Sequence, residues 1–391
     1  MEYFADLHVH IGTAKNRPVK ITASRQLTIK NIFNACLTMK GIDIIGIVDC
    51  ASPPVIDEIK ELIKKGELKE LKGGGLSYRE KITVILGAEI ETSEDAGAAH
   101  VVAFFPYFQQ MCEFSMAMAS HITNIYLSSQ RAHLNAYQLL DIVNGLGGKL
   151  IPAHIFTPFK SFYGNCYDRL YHAFKEKYDQ ISAVELGLSS DTDFADTIGE
   201  LSSKTFLSNS DAHSIEKIAR EYNRLSLKAP DFENLFDALI ANGNNDNYVV
   251  ANYGIDPRLG KYHRTRCLKC GYIAEEKPPV LECPCCHSKD IVPGVLDRIT
   301  IISDYKHPVH PAGRPPYIYQ IPLEFIPGLG KKSLKKLIDV FGSEMNVLQF
   351  AEEQELANVV GETIARKIIL SRQGLLHLKA GGGGHYGKII M

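Results

Sequence analysis

Histidine and carboxylate side chains stand at the ends of short apolar runs throughout the first 255 residues. His8 and His10 close the first run, MEYFADLHVH, and because they are two residues apart, both imidazoles share one face of an extended strand. The same residue types recur at six further runs, which carry Asp49 and Cys50, Glu89 and Glu91, His100, His154, Glu185 and Asp191, and Asp211 and His213. Mixed nitrogen and carboxylate donors are typical ligands of Zn, Mn or Fe. The repetition predicts a polynuclear metal site.

The chemistry that such a site would perform is phosphoester hydrolysis. Bound ions of this kind lower the pKa of water and neutralise charge on a phosphoryl oxygen. The sequence has no glycine-rich P-loop that would indicate nucleotide-driven work. Asp211, Glu89 and His154 are the predicted catalytic residues, the first two as bridging ligands that orient the water. For Glu185, a place behind the ligands and a turn-capping role remain open.

The elements that must position these side chains alternate along the chain. Helical patterns with apolar residues three to four apart occupy 24–41, 54–66 and 135–148, between the apolar runs. Strand–helix alternation with near-continuous apolar strands predicts a parallel sheet closed into a β/α barrel. In such barrels the chemistry lies at the C-terminal ends of the strands, where the polar residues collect here. We therefore expect an α/β metal-binding barrel over residues 1–255.

Four cysteines form a second motif, over residues 256–300. Cys267-x2-Cys270 is followed after twelve residues by Cys283-x2-Cys286, the spacing of a structural zinc ribbon with four thiolate ligands. A replacement of one of these ligands by the adjacent Cys285 remains open.

The last part of the chain carries signals for DNA binding. A proline-rich connector is predicted over 301–322, and the stretch 323–391 resembles a helix-hairpin-helix region with a glycine-rich tail. In its first copy, a short apolar helix, a hairpin turn and a lysine-bearing helix are predicted to contact DNA phosphates. A weaker second copy occupies 355–373, and an ordinary helical hairpin is the alternative for either. The DNA-binding candidates are Gly328, Gly330, Lys331, Lys332, Lys335 and Gly361.

Composition and charge agree with this division. Residues 1–255 hold 24 Lys and Arg against 31 Asp and Glu, a net charge of −7, and residues 256–391 hold 19 against 14, a net charge of +5. An acidic first part suits cations and a basic second part suits a polyanion. With no apolar run of about 18 residues and no signal-peptide pattern, we expect a cytoplasmic protein without membrane contact. Its nine cysteines are then thiols or metal ligands.

Four motifs, DLHVH (6–10), GAEIE (87–91), IPAHIF (151–156) and SNSDAH (208–213), resemble the PHP family of phosphoesterases. The resemblance implies a distorted seven-stranded β/α barrel with two or three divalent ions, as Zn²⁺, Mn²⁺ or Fe²⁺, with Mg²⁺ also able to support activity. Carried over motif by motif, it implies the ligands His8, His10, Glu89, His100, His154, Asp211 and His213.

One position departs from the PHP pattern. The motif T-D-H, whose histidine is a ligand in the family, reads V-D-C here, so that Cys50 takes the histidine's place. A thiolate ligand, a replacement by Asp49 or an altered metal position are the alternatives. Asp49 is preferred as the harder oxygen ligand.

The order of barrel, zinc ribbon and helical hairpins is similar to the endonuclease Q family in its bacterial form. The phrases IPAHIFTPF (151–159), VELGLSSD (184–191), REYN (220–223) and RPPYIYQIPL (314–323) carry this resemblance. It implies a DNA repair endonuclease that cuts duplex DNA 5′ to a deaminated base (uracil, hypoxanthine, xanthine) or an abasic site, leaving 3′-hydroxyl and 5′-phosphate ends. We expect the enzyme to act as a monomer.

A lesion-specific nuclease needs a pocket for an extruded base. Phe159, Asn165 and Asn209 are the candidates, as an aromatic wall and two amides close to the predicted ligands. Two other functions remain as alternatives. A small-molecule phosphatase of the histidinol-phosphate type would leave the ribbon and hairpins unexplained, and a non-catalytic DNA-binding scaffold would leave the ligand set unexplained.

Overall fold

The computed structural model describes residues 1–240 and 246–390. The strands of the first part are β1 (Glu2–Val9), β2 (Thr13–Ala14), β3 (Arg17–Pro18), β4 (Ile44–Ile47), β5 (Leu68–Glu70), β6 (Leu76–Tyr78), β7 (Ile82–Glu94), β8 (Gly97–Phe105), β9 (Lys149–Pro152), β10 (Ala183–Glu185), β11 (Thr205–Leu207), β12 (Tyr222–Ser226) and β13 (Tyr248–Gly254). Its helices are α1 (Ile29–Ala35), α2 (Pro53–Lys64), α3 (Phe108–Met118), α4 (Ala136–Gly145), α5 (Tyr171–Phe174), α6 (Thr192–Ala195) and α7 (Phe232–Ala238).

Seven of these strands form the predicted distorted barrel. Strands β1, β4 and β7 are parallel neighbours, β8 runs antiparallel between β7 and β9, and β10 and β11 are a parallel pair. Backbone hydrogen bonds beyond the strand ends close the ring, from Ile155 N to Glu185 O (2.9 Å) and from His10 N to Ala212 O (3.2 Å). The α/β barrel is thus confirmed, but its sheet is mixed and not parallel.

The reversal at β8 explains why His100 opens its strand whereas the other candidates close theirs. In the β7–β8 ladder His100 is the register partner of Glu91, so the start of β8 lies at the rim where β7 carries its carboxylates. In addition, the register between β1 and β4 shifts between Asp6 and Val9. Irregularities of this type change the direction of nearby side chains, and this one lies at the end of β1 that carries His8.

The three predicted helical patterns are found as α1, α2 and α4. Helix α1 continues as a π-helical turn (Cys36–Lys40) and stops at Gly41, which has a φ of +75°. Asn135 caps α4, because its side chain accepts a hydrogen bond from Gln138 N. One buried cluster lies between such helices and the sheet, and a second joins residues of all seven barrel strands, among them Leu7, Ile85, Val102, Ile151 and Leu207. The second cluster is therefore the barrel interior.

The remaining elements follow Gly254. The strands are β14 (Arg266–Cys267), β15 (Ile291–Val292), β16 (Tyr317–Tyr319), β17 (His377–Lys379) and β18 (Lys388–Ile390), and the helices are α8 (Val295–Ile302), α9 (Lys331–Phe341), α10 (Glu344–Gln349), α11 (Glu353–Val360) and α12 (Glu362–Arg372). Strand β16 lies in the predicted connector but pairs in parallel with β13, so this stretch extends the barrel sheet. Among the described residues no helix has the length and apolar character needed to cross a membrane.

Candidate active site

The first group of predicted ligands joins the end of β1 to the loop after β11. His8, His10 and Asp211 each offer one ligand atom, and these atoms lie within 4.8 Å of one another. Asp211 Oδ1 is 3.3 Å from His10 Nε2 and 3.7 Å from His8 Nε2. Both imidazoles are buried, whereas the Asp211 side chain is 30% exposed. The carboxylate is therefore the member of this group that faces solvent.

The second group joins β7, β8 and the loop after β9. Glu89, His100 and His154 offer ligand atoms that again lie within 4.8 Å of one another. Glu89 Oε1 is 2.8 Å from His100 Nδ1 and 3.5 Å from His154 Nε2. All three residues are buried.

Glu89 stands between the two groups. Its Oε1 is 3.4 Å from His8 Nε2, and its Oε2 is 3.6 Å from His10 Nε2. Burial would raise the pKa of Glu89, yet the positive charges around it, among them Lys20, hold that pKa well below its usual range. An ionised carboxylate whose Oε1 faces His8, His100 and His154 and whose Oε2 faces His10 has the geometry that the predicted bridging role requires.

Strained backbone presents two of these ligands. His154 and Asp211 have φ values of +30° and +45°, a region that side chains other than glycine rarely adopt. Gly187 makes room behind His154, because a Cβ at Gly187 would lie 2.9 Å from the His154 Cβ. Such strain persists where the surrounding structure imposes it, and it clusters at functional sites.

Carboxylates behind the first group orient its imidazoles. His8 Nδ1 is 2.9 Å from Glu185 Oε2, and His10 Nδ1 is 3.0 Å from Asp49 Oδ1. Since the Nδ1 atoms are held in this way, the Nε2 atoms are left to face the site. Of the two roles left open for Glu185, the structure thus favours the one behind the ligands.

Asp49 lies behind His10, and its role as a metal ligand stays a prediction. Its oxygens face His10 Nδ1, the amide of Ile11 (2.5 Å) and the hydroxyl of Ser128, and it belongs to neither ligand group. This geometry fits a residue that orients His10 better than a direct metal ligand. Cys50 is fully buried and its thiol contacts Ile47 O (3.2 Å), while burial raises the thiol pKa. It fits an inert core thiol.

His213 lies beside the first group without joining it. Its ring centroid is 4.7 Å from that of His10, and its Nδ1 is 3.0 Å from the backbone oxygen of Asp211 and 3.5 Å from Asp211 Oδ1. Burial lowers the pKa of His213 to about 4, which keeps the imidazole neutral. Its role as a ligand stays a prediction.

The donor set fits metal ions. Among the described residues, the buried Nε2 atoms of His8 and His10 are polar atoms without a hydrogen-bond partner, and both face the carboxylates of Glu89 and Asp211. Buried polar atoms are almost always paired, so two such nitrogens between two carboxylates need an explanation. Lone pairs directed at cations provide it.

Three residues of the site escaped the sequence-based prediction. Lys20 Nζ lies 2.7 Å from Glu89 Oε2 and 2.5 Å from the hydroxyl of Ser129, which itself donates to Glu89. Ser128 contacts Asp49 in the same way. The two serines lie between α3 and α4 in a stretch without periodicity, so no sequence signal points to them.

A cleft of about 710 Å³ is lined by the predicted ligands Glu89, His100, His154, Asp211 and His213. Phe159 lines it, is half exposed and packs edge-on against Tyr262, with ring centroids 5.8 Å apart. Asn209 also lines it, but its side-chain oxygen accepts from Leu7 N (3.1 Å) and from Asn223 Nδ2 (2.9 Å). Asn165 corrects the predicted pocket, because it packs against Gly97 and donates to Ala98 O (3.3 Å) and does not line the cleft.

The four predicted ribbon cysteines meet beside the short β14–β15 ladder. The Sγ atoms of Cys267 and Cys286 are 3.6 Å apart, those of Cys270 and Cys283 are 3.5 Å apart, and all four lie within 4.8 Å of one another. Hydrogen bonding from the Cys270 amide lowers the pKa of Cys267 to about 6, which favours a thiolate. Cys285 stays outside this group.

The hairpin region matches its prediction in part. Gly330 caps α9, Gly328 has a φ of +92°, and Lys331, Lys332 and Lys335 are exposed on the first turns of α9. The predicted apolar helix before this turn is only a single 3₁₀ turn (Leu323–Phe325). In the second copy, Gly361 with a φ of +85° joins α11 directly to α12.

A barrel whose rim gathers imidazoles and carboxylates, joined to four clustered cysteines and to helical hairpins, defines a metal-dependent hydrolase. No protein-family model matches the chain. It is 46% identical over 391 residues to the uncharacterized protein YqxK of Bacillus subtilis, with 99% of this chain and 98% of that protein covered. It is also 40% identical over 254 residues to the uncharacterized protein MJ0043 of Methanocaldococcus jannaschii, which covers 60% of this chain and 31% of that protein.

Two solved structures resemble the whole chain. The lesion-specific endonuclease Q of Pyrococcus furiosus superposes with a TM-score of 0.84 at 32% identity, covering 100% of this chain and 96% of that one. Endonuclease Q in complex with a 27-mer duplex substrate that carries an abasic lesion at the active site gives the same TM-score and identity, covering 100% and 97%. The chain belongs to the endonuclease Q family, and it is a metal-dependent DNA repair endonuclease.

Proposed function

We propose that this enzyme cuts one strand of duplex DNA on the 5′ side of a deaminated base (uracil, hypoxanthine or xanthine) or an abasic site, leaving 3′-hydroxyl and 5′-phosphate ends. The observation that carries the proposal is that both ligand groups reach one cleft of about 710 Å³, the first through Asp211 and the second through all three of its residues. A cleft of this volume is large enough to admit a single extruded nucleotide. The relative with an abasic duplex at its active site supports the same substrate class.

Two divalent ions would be held by His8, His10 and Asp211 and by Glu89, His100 and His154, with Glu89 between them. When bound, such ions lower the pKa of a water and neutralise charge on the phosphoryl oxygens. Zn²⁺, Mn²⁺ and Fe²⁺ fit the mixed donors, and Mg²⁺ could support turnover. A Zn²⁺ ion would join the four ribbon cysteines and hold structure, since that site leaves no open position.

The chain's own residues then have distinct tasks. The exposed face of the Asp211 carboxylate can accept a hydrogen bond from a water at the cleft floor and so orient it for attack. Lys20 adds a positive charge 2.7 Å from Glu89 Oε2 and lines the cleft, where it can attract a phosphate. His154 also lines the cleft, and its Nδ1 lies 3.2 Å from the Thr157 hydroxyl, which orients the ring.

Duplex binding falls to the helical hairpins. The exposed lysines on the first turns of α9 and the free backbone N–H groups at its N-terminus suit phosphates of any sequence. Replacing Lys331 and Lys332 by Ala should weaken binding alike for lesion and undamaged duplexes, and should reduce the salt dependence of binding by about two counterions at most.

The proposal is tested by incision of matched duplexes that carry uracil, hypoxanthine, xanthine, an abasic site or no lesion, with and without a chelator. We expect cutting of lesion duplexes only, loss of cutting with chelator, and loss in Asp211→Asn. Asp141→Asn is the matched control, since that carboxylate is exposed and pairs with Lys177. Turnover of phosphomonoesters but no duplex would instead indicate a small-molecule phosphatase, and no turnover of either would indicate a scaffold.

The aromatic wall is the proposed contact for the extruded base. Phe159 and Tyr262 line the cleft as an edge-to-face pair, so removal of either ring should weaken stacking on the base. We expect Phe159→Ala to reduce cutting of uracil duplexes about tenfold while cutting of abasic duplexes changes less. An equal loss on both substrates would exclude base contact as the role of Phe159.

A further inference from the structure

The C-terminal glycine-rich segment 381–387 reaches the active-site cleft of the barrel. The backbone N–H groups of Gly381, Gly384 and Gly387 donate to carbonyls of residues 258–261, at 2.7, 2.9 and 2.9 Å. A Cβ at Gly381 would lie 2.5 Å from Gly387 N, and one at Gly387 would lie 2.5 Å from Arg258 O. The close backbone approach therefore needs glycine at these positions.

This approach places Tyr386 on the wall of the cleft. Its ring centroid is 6.0 Å from that of Phe325, in the turn that precedes the first hairpin. Its hydroxyl accepts a hydrogen bond of 2.9 Å from Arg220 Nη1, across 166 residues of chain. Tyr386 thus joins the tail, the hairpin region and the barrel.

Arg220 braces the backbone of the ligand loop. Its Nε donates to Ser210 O (2.7 Å) and its Nη2 to Asp211 O (3.3 Å), so one guanidinium holds two successive carbonyls. Arg220 is itself buried, and a rigid planar fork suits such a set of contacts. Since the backbone of Asp211 has a φ of +45°, a relaxation there would move the carboxylate away from His8 and His10.

We propose that Arg220 is a positioning residue that holds Asp211 in its ligand geometry, and that Tyr386 of the C-terminal tail holds Arg220 in turn. The tail would then act on the metal site through Arg220. The inference rests on the proposed incision for one of its two readouts. The other readout, metal affinity, is independent of the substrate.

The test uses the full chain as wild type, Arg220→Met, Arg220→Lys and Tyr386→Phe. Arg224→Met is the matched arginine control, because Arg224 pairs with Glu2 on the barrel exterior, and Tyr272→Phe is the matched tyrosine control, because Tyr272 contacts Glu276 on the ribbon. Barrel affinity is measured by titration with Mn²⁺ alone, and kcat and KM are measured on an abasic-site duplex. Zinc content and the melting temperature report on the fold.

We expect Arg220→Met to lower Mn²⁺ affinity and kcat by about 10- to 100-fold with little change in KM, the range found for residues behind metal ligands. Tyr386→Phe, which loses one hydroxyl, should lower kcat about 3- to 10-fold, and Arg220→Lys should fall between wild type and Arg220→Met. Both matched controls should behave as wild type.

Three results would overturn the proposal. A rise in KM in Arg220→Met with unchanged kcat and Mn²⁺ affinity would make Arg220 a DNA contact. If Arg220→Met does not fold, wild-type kcat and Mn²⁺ affinity in Arg220→Lys would equally exclude the positioning role. A Tyr386→Phe enzyme that matches Tyr272→Phe would remove the role of the tail. If the wild type cuts no lesion duplex, the proposed function fails, while Mn²⁺ affinity still decides the positioning role.

Discussion

The hydrogen bond between His8 and Glu185 offers the sharpest perturbation of the metal site. His8 Nδ1 lies 2.9 Å from Glu185 Oε2, and the two side chains are 1% and 2% exposed. Replacing Glu185 by Ala leaves Nδ1 without its carboxylate, so the ring can rotate or change tautomer and Nε2 is no longer aimed at the site. Replacing it by Gln keeps an acceptor at the same place but removes the charge.

The expected magnitude follows from this geometry. Loss of a partner behind a metal-binding histidine lowers metal affinity by about 10- to 100-fold, which is about 1.4–2.8 kcal/mol at 25 °C. The buried and charge-assisted bond of Glu185 places Glu185→Ala near the upper end of this range. Glu185→Gln belongs near the lower end, because a neutral acceptor still fixes the tautomer.

The assay is a titration of the metal-stripped barrel with Mn²⁺, followed by incision of an abasic-site duplex at saturating metal. Glu176→Ala is the matched control, because Glu176 is an exposed glutamate away from the site. Its side chain accepts a hydrogen bond from the Tyr137 hydroxyl. Saturating metal should restore most of the activity of both Glu185 variants. Wild-type affinity in Glu185→Ala, or a larger loss in Glu185→Gln than in Glu185→Ala, would refute the orienting role.

Three further predictions concern the stability of the chain. Cys270→Ser should release the ribbon metal and lower the melting temperature, while Mn²⁺ affinity of the barrel stays unchanged in the same titration. Lys40 Nζ lies 2.9 Å from Glu344 Oε2, and Lys40→Met leaves this buried carboxylate without its cation. The free energy of unfolding, measured by chemical denaturation, should fall by about 3–5 kcal/mol, whereas replacing an exposed lysine should cause no such loss. Burial raises the pKa of Glu221 to about 8, so the folded state keeps a proton that the unfolded state releases above about pH 4.5. The free energy of unfolding should therefore fall as pH rises from 4.5 to 8. Glu221→Gln should flatten this slope and raise the free energy of unfolding by roughly 3–5 kcal/mol at pH 8. A pH profile of the variant that runs parallel to that of the wild type would contradict this prediction.

The parts of the site that short sequence motifs define could be predicted. The histidines and carboxylates at strand ends and the cysteine spacing are short-range signals. The structure brings six of the predicted barrel ligands and the four cysteines together, while their role as ligands stays a prediction. The mixed sheet had no comparable local signal. Strands β7 and β8 are joined by the two-residue loop of Asp95 and Ala96, which lacks the Asn-Gly or Asp-Gly pair that is typical of antiparallel hairpins.

Roles that depend on distant chain segments could not be predicted in the same way. Glu185 is 177 residues from His8, and Arg220 is 166 residues from Tyr386, so only the folded chain shows that they are partners. The prediction that Asn165 lines the base pocket was wrong for a related reason. It follows His154 closely in sequence, but the intervening loop turns it toward Ala98 instead of the cleft.

The charge of the site favours two ions in the barrel over three. Four carboxylates (Asp49, Glu89, Glu185 and Asp211) and one ammonium (Lys20) contact the first group and Glu89, and together they carry a net charge of −3. Glu91, beside His100, is left out of this count because Arg131 and Lys160 already pair with it. Buried charge must be compensated, and two divalent ions would bring the site to +1, which a single phosphodiester neutralises. A third ion would leave a larger positive excess at the site. With one further ion on the ribbon, we expect three metal ions for each chain, measured by elemental analysis after removal of loosely bound metal. Four tightly bound ions would contradict this reasoning, and His213 beside the first group would then be the first candidate for an additional ligand.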